Sequence, residues 1–295
     1  MTSAVAGSTE APLGPGDLAL LRRLDLVHRR PARGPFPGQR RSTHTARSPE
    51  LADFRPYAPG DDIRQIDWRA YGRLDKLTVR LHVAEEEAAV NVVVDASASM
   101  TLGDPPKWAA ARRVAAALAV LALNGSDRVA IGPLDPARPA TPHLRPDGGG
   151  RARLLDRLAG LAPAGGGAPD DLAALPWPRP GLTVVISDFL VEGDWRPALS
   201  AVTGAGQDVV LWQVLAPDEE HPRLSGDVTL LDVESGRRRE ITVTPRVVHD
   251  YVRALAGLRA GLAAAAGGRF LHTRSDDTLE GCMRQAIRAG VVRRT

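Results

Sequence analysis

The sequence predicts an α/β fold in which a doubly wound, mostly parallel sheet follows a smaller N-terminal region of loops and β structure. From about residue 87 onward, short apolar segments of strand length alternate with segments of helical length and periodicity. One of the short segments, Val90–Val94, is almost entirely apolar and β-branched, as in strands that are covered on both faces. Alternation of this kind implies parallel strands joined by crossover helices.

Three parts are distinguished along the chain. Residues 1–16 are small, polar and rich in proline and glycine, which predicts disorder. Residues 17–86 form an N-terminal signature region; a helix is expected over Leu18–His28, capped by Asp17, and the alternation in Leu77–Val83 predicts a half-buried strand. Residues 87–295 form the main domain, with a β-hairpin inserted near residues 228–243.

The remaining elements of the main domain follow from periodicity and from proline, glycine and asparagine at their ends. Helices are expected at residues 106–123, 151–161, 195–202, 247–266 and 279–289, a short helix or turn at residues 170–175, and strands at residues 90–94, 128–134, 182–187, 208–215 and 269–272.

Composition bounds the classes of partner. The formal net charge is +3 and the pI is about 9.5, yet Lys76 and Lys107 are the only lysines. Abundant arginine, alanine, glycine and proline indicate a GC-rich coding sequence, and arginine raises the pI because it does not titrate. No nucleic-acid partner is therefore expected. An arginine-rich nucleic-acid binder remains an alternative, and it would bind with a steep dependence on salt.

The chain shows no sign of export or of a membrane span. Cys282 is the only cysteine, so no intramolecular disulfide can form. The first residues lack the charged and apolar regions of a signal peptide. The most apolar run, Val114–Leu123, is about half the length of the roughly 20 residues that a spanning helix needs. A cytoplasmic protein is expected.

Oxygen-bearing side chains follow two of the predicted strands. Asp95 ends one strand and Asp188 ends another, and Ser97 and Ser99 come two and four residues after Asp95. The carboxyl ends of parallel strands meet at one edge of a sheet, where α/β proteins bind their ligands. Carboxylate and hydroxyl oxygens suit a hard cation, so Asp95, Ser97, Ser99 and Asp188 are predicted to hold Mg²⁺, or Mn²⁺ or Ca²⁺ in its place.

These residues also carry a resemblance. Asp95–Met100 (DASASM) resembles the metal-ion-dependent adhesion site of von Willebrand factor A-like domains, and Ser187–Phe189 resembles the later acidic position of that site. Upstream, Asp53–Tyr57, Pro59–Arg64 and Ile66–Arg69 resemble the signature of domain-of-unknown-function family 58. The resemblance implies a von Willebrand A-like main domain and a non-catalytic, metal-dependent interaction module. The implied partner is a MoxR-type AAA+ ATPase that matures or remodels a client protein.

One position departs from the family pattern. Ala168 stands where the second metal loop of the family usually has a threonine. Asp170, Asp171 or water could supply the missing oxygen, or the metal could be weakly bound or absent.

The signature block has two interpretations. Its charges alternate in sign, so it could be an ion-pair network that fixes a loop-rich region. It could also be a docking face for the ATPase or its client, because arginine and aromatic side chains often anchor interfaces. The candidate interaction residues are Asp53, Arg55, Tyr57, Asp61, Asp62, Arg64, Asp67, Trp68 and Arg69.

An enzymatic alternative uses the same strand end. A Mg²⁺-dependent phosphatase could employ Asp95 as its nucleophile. Phosphatases of the haloacid-dehalogenase type need a second aspartate two residues later as acid and base, and this chain has Ser97 there. The non-catalytic interpretation is therefore preferred.

Overall fold

A computed structural model describes residues 12–29, 53–58, 66–74, 76–81, 88–138, 140–145, 149–163, 165, 167–191 and 193–295. The contacts divide the chain into two units, one of residues 1–32 with 87–295 and the other of residues 33–86. The first described helix and strand thus group with the main domain, whereas the sequence analysis grouped residues 17–86 together. Of the segment predicted to be disordered, residues 1–11 lie outside the described residues, and a helix begins at Pro15.

The elements are numbered in chain order. The helices are α1 (Pro15–Leu21), α2 (Trp68–Leu74), α3 (Lys107–Asn124), α4 (Gly150–Gly160), α5 (Pro169–Ala174), α6 (Trp195–Gly204), α7 (Pro217–Glu220), α8 (Pro245–Ala265) and α9 (Leu279–Arg288). The strands are β1 (Leu24–Leu26), β2 (Asp53–Pro56), β3 (Thr78–Leu81), β4 (Ala89–Val94), β5 (Arg128–Pro133), β6 (Gly181–Ser187), β7 (Gln207–Leu215), β8 (Gly226–Leu231), β9 (Arg238–Val243), β10 (Phe270–Arg274) and β11 (Val292–Arg294).

The core of the larger unit is a five-stranded sheet in the order β10-β7-β6-β4-β5, and every neighbouring pair is parallel. The predicted doubly wound α/β class is confirmed. The chain leaves β4 toward β5 on one side and then returns to β6 on the other. The strand order therefore reverses between β4 and β6, and open α/β sheets bind their ligands at the carboxyl ends of strands at such a reversal.

Apolar side chains of the central strands alternate between two cores. Val92 and Val94 of β4 belong to a cluster that includes the buried residues of α1, α3, α4 and α9, whereas Val93 belongs to one with those of α6 and α8. Because successive strand residues point to opposite faces, helices on both faces require a continuously apolar strand. This explains why the run that the sequence analysis singled out is almost entirely apolar.

The first helix is shorter than predicted. Helix α1 ends at Leu21, and Leu24–Leu26 instead forms β1, which pairs antiparallel with β11. Leu24 and Leu26 are both buried, and two-residue spacing places them on one face of a strand. Asp17 is the third residue of α1 rather than its cap, and its carboxylate accepts the Gly14 N–H at 2.9 Å.

The hairpin lies close to its predicted position. Strands β8 and β9 form a two-stranded antiparallel sheet, separate from the central one. Among the helices that the structure describes, none combines the length and apolar character needed to cross a membrane.

Candidate functional site

Asp95 and Asp188 lie at the reversal of strand order. Asp95 directly follows β4 and Asp188 directly follows β6, and these strands are neighbours in the sheet. The Asp95 N–H donates to the Ile186 carbonyl at 2.8 Å, which extends the pairing of β4 with β6 to the site. The topology therefore brings together two acidic residues that are 93 positions apart in sequence.

The Asp95 carboxylate is enclosed and fully engaged. Asp95 is only 2% exposed. Its Oδ1 accepts the Ser97 N–H at 2.8 Å. Its Oδ2 accepts the Ser187 hydroxyl at 2.6 Å. Burial raises the pKa of Asp95 most, and the negative charge of Asp188 raises it further. Together they bring the pKa to about 6 despite these hydrogen bonds, which lower it. A positive charge placed nearby would favour its ionised form.

Three oxygens form a short chain beside Asp95. The Ser97 and Ser99 hydroxyls are 3.0 Å apart, and the Ser99 hydroxyl donates to Asp188 Oδ2 at 3.1 Å. Adjacent oxygens around octahedral Mg²⁺ are separated by about 3.0 Å, as metal–oxygen distances of about 2.1 Å require. The donor types and their spacing therefore fit a hard cation.

The fit depends on hydroxyls as much as on acids. Within the described ranges, no three histidine, cysteine, aspartate or glutamate side chains are grouped as metal ligands. Two carboxylates and two hydroxyls leave coordination positions for water or for a partner's oxygen, as Mg²⁺ sites usually do.

The backbone after Asp188 holds that residue in place. Phe189 adopts a positive φ of 56°, an uncommon conformation for a side chain of this size. Its ring packs edge-on against Trp195, with ring centroids 5.0 Å apart. The Leu190 N–H donates to Asp188 Oδ1 at 3.0 Å, and Gln213 Nε2 donates to the Asp188 carbonyl at 2.8 Å. Packing thus stabilises a strained turn that orients the Asp188 carboxylate.

Lys107 is a member of the site that the sequence analysis did not assign. Its ammonium is fully buried in the first turn of α3 and donates to Asp188 Oδ2 at 2.7 Å and to Glu219 Oε1 at 2.5 Å. Burial lowers the pKa of Lys107, but the Asp188 and Glu219 carboxylates outweigh burial and raise it overall. A cation at a helix N-terminus opposes the helix dipole, so these carboxylates are needed there.

The glycine-rich loop approaches Asp95 through its backbone. Gly167 has a φ of +109°, and a Cβ built on it would lie 2.6 Å from Asp95 Oδ1. The Gly167 N–H donates to the Leu134 carbonyl at 3.0 Å, which fixes the loop. A glycine is therefore required here both by conformation and by space.

Asp170 and Asp171, the alternative oxygen donors, lie on helix α5, apart from the hydrogen bonds that connect the four predicted ligands. Asp171 Oδ2 accepts the Ala168 N–H at 3.0 Å and so stabilises the start of α5. Asp170 is exposed on the same helix. Within the described residues, neither carboxylate is hydrogen-bonded to the Asp95–Ser99 loop or to Asp188.

A third carboxylate reaches the site from the hairpin. Glu234, in the turn between β8 and β9, accepts the Ser99 N–H on its Oε1 at 2.8 Å. The two residues are 135 positions apart, and no local pattern in the sequence connects them.

The signature region is described only in part. Strand β2, which contains Asp53 and Arg55, pairs antiparallel with β3, and the Tyr57 N–H donates to the Leu77 carbonyl at 2.9 Å. The predicted interaction residues Asp61, Asp62 and Arg64 lie outside the described residues.

The described part of this region contains one buried acid and several exposed side chains. Asp67 is buried, and its Oδ1 accepts the backbone N–H groups of Arg69 and Ala70 at 2.9 and 3.1 Å, as a helix cap does. Trp68 is 62% exposed and stacks edge-on with Tyr71. Asp67 therefore has a structural role, whereas Trp68 and Arg69 are exposed.

Comparisons with known proteins place the chain among uncharacterized relatives. The uncharacterized proteins Mb1516 of Mycobacterium bovis and Rv1480 of Mycobacterium tuberculosis are each 34% identical over 277 residues, which cover 88% of this chain and 84% of theirs. Among solved structures, the conserved hypothetical protein BatB from Bacteroides thetaiotaomicron aligns with a TM-score of 0.43 and 16% identity, over 69% of this chain and 98% of BatB.

A second solved structure aligns in the same way. An aerotolerance-related membrane protein from Bacteroides fragilis has a TM-score of 0.42 and 15% identity, over 69% of this chain and 98% of that protein. The family model described as "Protein of unknown function DUF58" matches residues 53–260, more than half of the chain. The chain belongs to the DUF58 family.

Proposed function

We propose that this chain is a non-catalytic, metal-dependent protein-interaction module that works with a MoxR-type AAA+ ATPase on a client protein in the cytoplasm. The observation that supports the proposal most directly is the chain of oxygens from Ser97 through Ser99 to Asp188, whose separations of 3.0 and 3.1 Å suit an octahedral cation. The ATPase is inferred from the family resemblance, and the cation from the site.

The residues at this site would have different roles in binding a cation. Asp95, Ser97, Ser99 and Asp188 would hold a bound Mg²⁺, and Asp95 would also orient the Ser97 backbone. The cation would attract an oxygen of a partner carboxylate to the remaining coordination position. Gly167 and Phe189 keep the two loops in place, so little reorganisation is needed on binding.

The geometry favours binding over phosphoryl transfer. Both oxygens of Asp95 already accept hydrogen bonds, and the residue is almost fully buried, so it is poorly placed to attack a substrate. A phosphatase of the haloacid-dehalogenase type needs an acid two residues after its nucleophile, and this chain has Ser97 at that position.

The proposal is tested by capture of the partner ATPase from the native cell on the immobilised full chain, with Mg²⁺ titrated against a chelator. We expect capture to rise with Mg²⁺, and to fall at least tenfold in Asp95→Ala and Ser99→Ala. Asp156→Ala, which changes an exposed aspartate of α4, is the matched control and should behave as wild type.

Capture that is equal in excess chelator and in Asp95→Ala would contradict the proposed metal dependence. The same preparations should be offered generic phosphate esters. Robust hydrolysis that is lost in Asp95→Asn would instead favour the phosphatase alternative.

A further inference from the structure

We propose that Glu234 is a built-in occupant of this site, a carboxylate that the hairpin places where the partner's carboxylate binds. The inference rests on the proposed function, since it concerns regulation of the same site. It predicts that a partner must displace the hairpin turn before it can bind, and that the partner presents an aspartate or glutamate at the tip of a turn.

The first support is the position of the contact. Glu234 Oε1 accepts the N–H of Ser99, the residue whose hydroxyl donates to Asp188. The carboxylate is thus hydrogen-bonded to the backbone of a residue whose own side chain belongs to the oxygen chain. Glu234 is exposed as a residue, so water or another molecule has access to the contact.

The second support is the construction of the turn. The Glu234 N–H donates to Asp232 Oδ1 at 2.9 Å, and the Ser235 hydroxyl donates to the other oxygen of that carboxylate. The Gly236 N–H donates to the Asp232 carbonyl at 2.8 Å, and Gly236 has a φ of 70°, which glycine adopts without strain. These bonds preorganise the turn so that Glu234 projects from a defined backbone.

The third support is that the contact is easily released. In the part of the chain that the structure describes, strands β8 and β9 pair only with each other, and nearly all of their residues are exposed or half-buried. An isolated two-stranded hairpin is marginally stable in water. The turn can therefore leave without disruption of the central sheet.

The contact is tested first in the full chain without partner or metal. Hydrogen exchange at the Ser99 amide, followed by NMR, is compared among wild type, Glu234→Ala and Glu240→Ala. Glu240 is exposed on β9 of the same hairpin and serves as the matched control. We expect exchange at least tenfold faster in Glu234→Ala only. Equal exchange in all three chains would overturn the inference.

Occupancy of the site by Glu234 is tested with a defined probe. The probe is a cyclised peptide of residues 226–243 that carries a fluorescent label and is added with Mg²⁺. We expect it to bind the Glu234→Ala chain at least tenfold more tightly than wild type, because a tethered carboxylate competes at high effective concentration. The same peptide with alanine in place of Glu234 should not bind.

Equal binding of the peptide to both chains, or no binding to either, would overturn the inference. The proposed function is judged separately, by capture of the ATPase. If the peptide discriminates between the chains but no chain captures the ATPase, the proposed partner is wrong while the occupancy of the site by Glu234 stands.

Discussion

The Lys107 ammonium lies 2.7 Å from Asp188 Oδ2, and neither side chain is more than 4% exposed. The site therefore contains a fixed positive charge of its own beside the oxygens that suit a divalent cation. A bound cation and Lys107 would share the charge of Asp188, so the lysine is expected to moderate cation affinity while keeping the metal-free site folded.

Replacement of this lysine should destabilise the fold. Lys107→Met leaves Asp188 and part of Glu219 buried without their ammonium, and we expect the free energy of unfolding to fall by about 3–5 kcal/mol. Urea unfolding measures the loss. Lys76→Met, at the exposed second lysine, should change stability by less than about 0.5 kcal/mol. Similar losses in both variants would show that Lys107 is not supporting buried charge.

Gly167 can be tested by comparison with Gly165, a second glycine of the same loop. Gly167→Ala places a Cβ 2.6 Å from Asp95 Oδ1, so we expect lower stability and a loss of Mg²⁺ binding of at least tenfold by calorimetry. Gly165→Ala, at a φ of +85° and with open space around its Cβ, bears only the conformational cost, about 1 kcal/mol. Normal Mg²⁺ binding by Gly167→Ala would indicate that the Asp95 carboxylate does not contribute to the site.

Asp95 predicts a dependence of stability on pH. Its pKa in the fold is about 6, above the ordinary 3.8, so the folded chain binds its proton more tightly than the unfolded chain does. Its contribution to stability is therefore lost as the pH rises from 4 through 6, by roughly 2–3 kcal/mol. Unfolding in chelator should show this fall in wild type and a smaller one in Asp95→Asn. Equal pH profiles would contradict the raised pKa.

Cys282 should be chemically inert in the folded chain. It is 2% exposed on α9, and burial, reinforced by Asp277, raises the pKa of its thiol to about 11. The reactive thiolate is therefore scarce at neutral pH. We expect alkylation by iodoacetamide, measured by mass spectrometry, to occur only in denaturant. Rapid modification of the native chain would show that α9 opens readily.

Trp68 tests the docking interpretation of the signature region. An exposed tryptophan in a binding face is expected to contribute about 2 kcal/mol or more, so Trp68→Ala should weaken ATPase capture roughly 30-fold without a change in stability. Leu77→Ala, also exposed in this region, is the control. Unchanged capture by Trp68→Ala would leave the region with a structural role alone.

The central sheet could be predicted because its signals are local. The apolar run of β4 and the aspartates that end β4 and β6 follow from periodicity and topology. The strand β1 was missed because three residues carry little periodicity, and its partner β11 lies at the other end of the sequence. Pairing between segments so far apart in sequence produces no local pattern in either segment.

The sequence analysis named the acids and hydroxyls that the structure brings together at the ends of β4 and β6, but it did not name the charged residues beside them. Lys107 and Glu234 meet Asp188 and Ser99 only through the packing of α3 and the path of the hairpin. Both contacts depend on long-range geometry, which one sequence does not display. Asp171 was one of the alternative oxygen donors, and its local role could have been predicted as well, since an acid at the third helical position commonly accepts a hydrogen bond from the preceding backbone.

The division of the chain into units affects how it can be shortened. Residues 33–86 lie between two segments of one folded unit, and Leu21 and Leu24 belong to the same apolar cluster as α3. A fragment that starts at residue 87 would lack those leucines and leave β11 without its neighbour. It would expose apolar surface to water and be prone to aggregate, so removal of residues 33–86 alone, with the flanking segments rejoined, is the better way to isolate the parallel sheet.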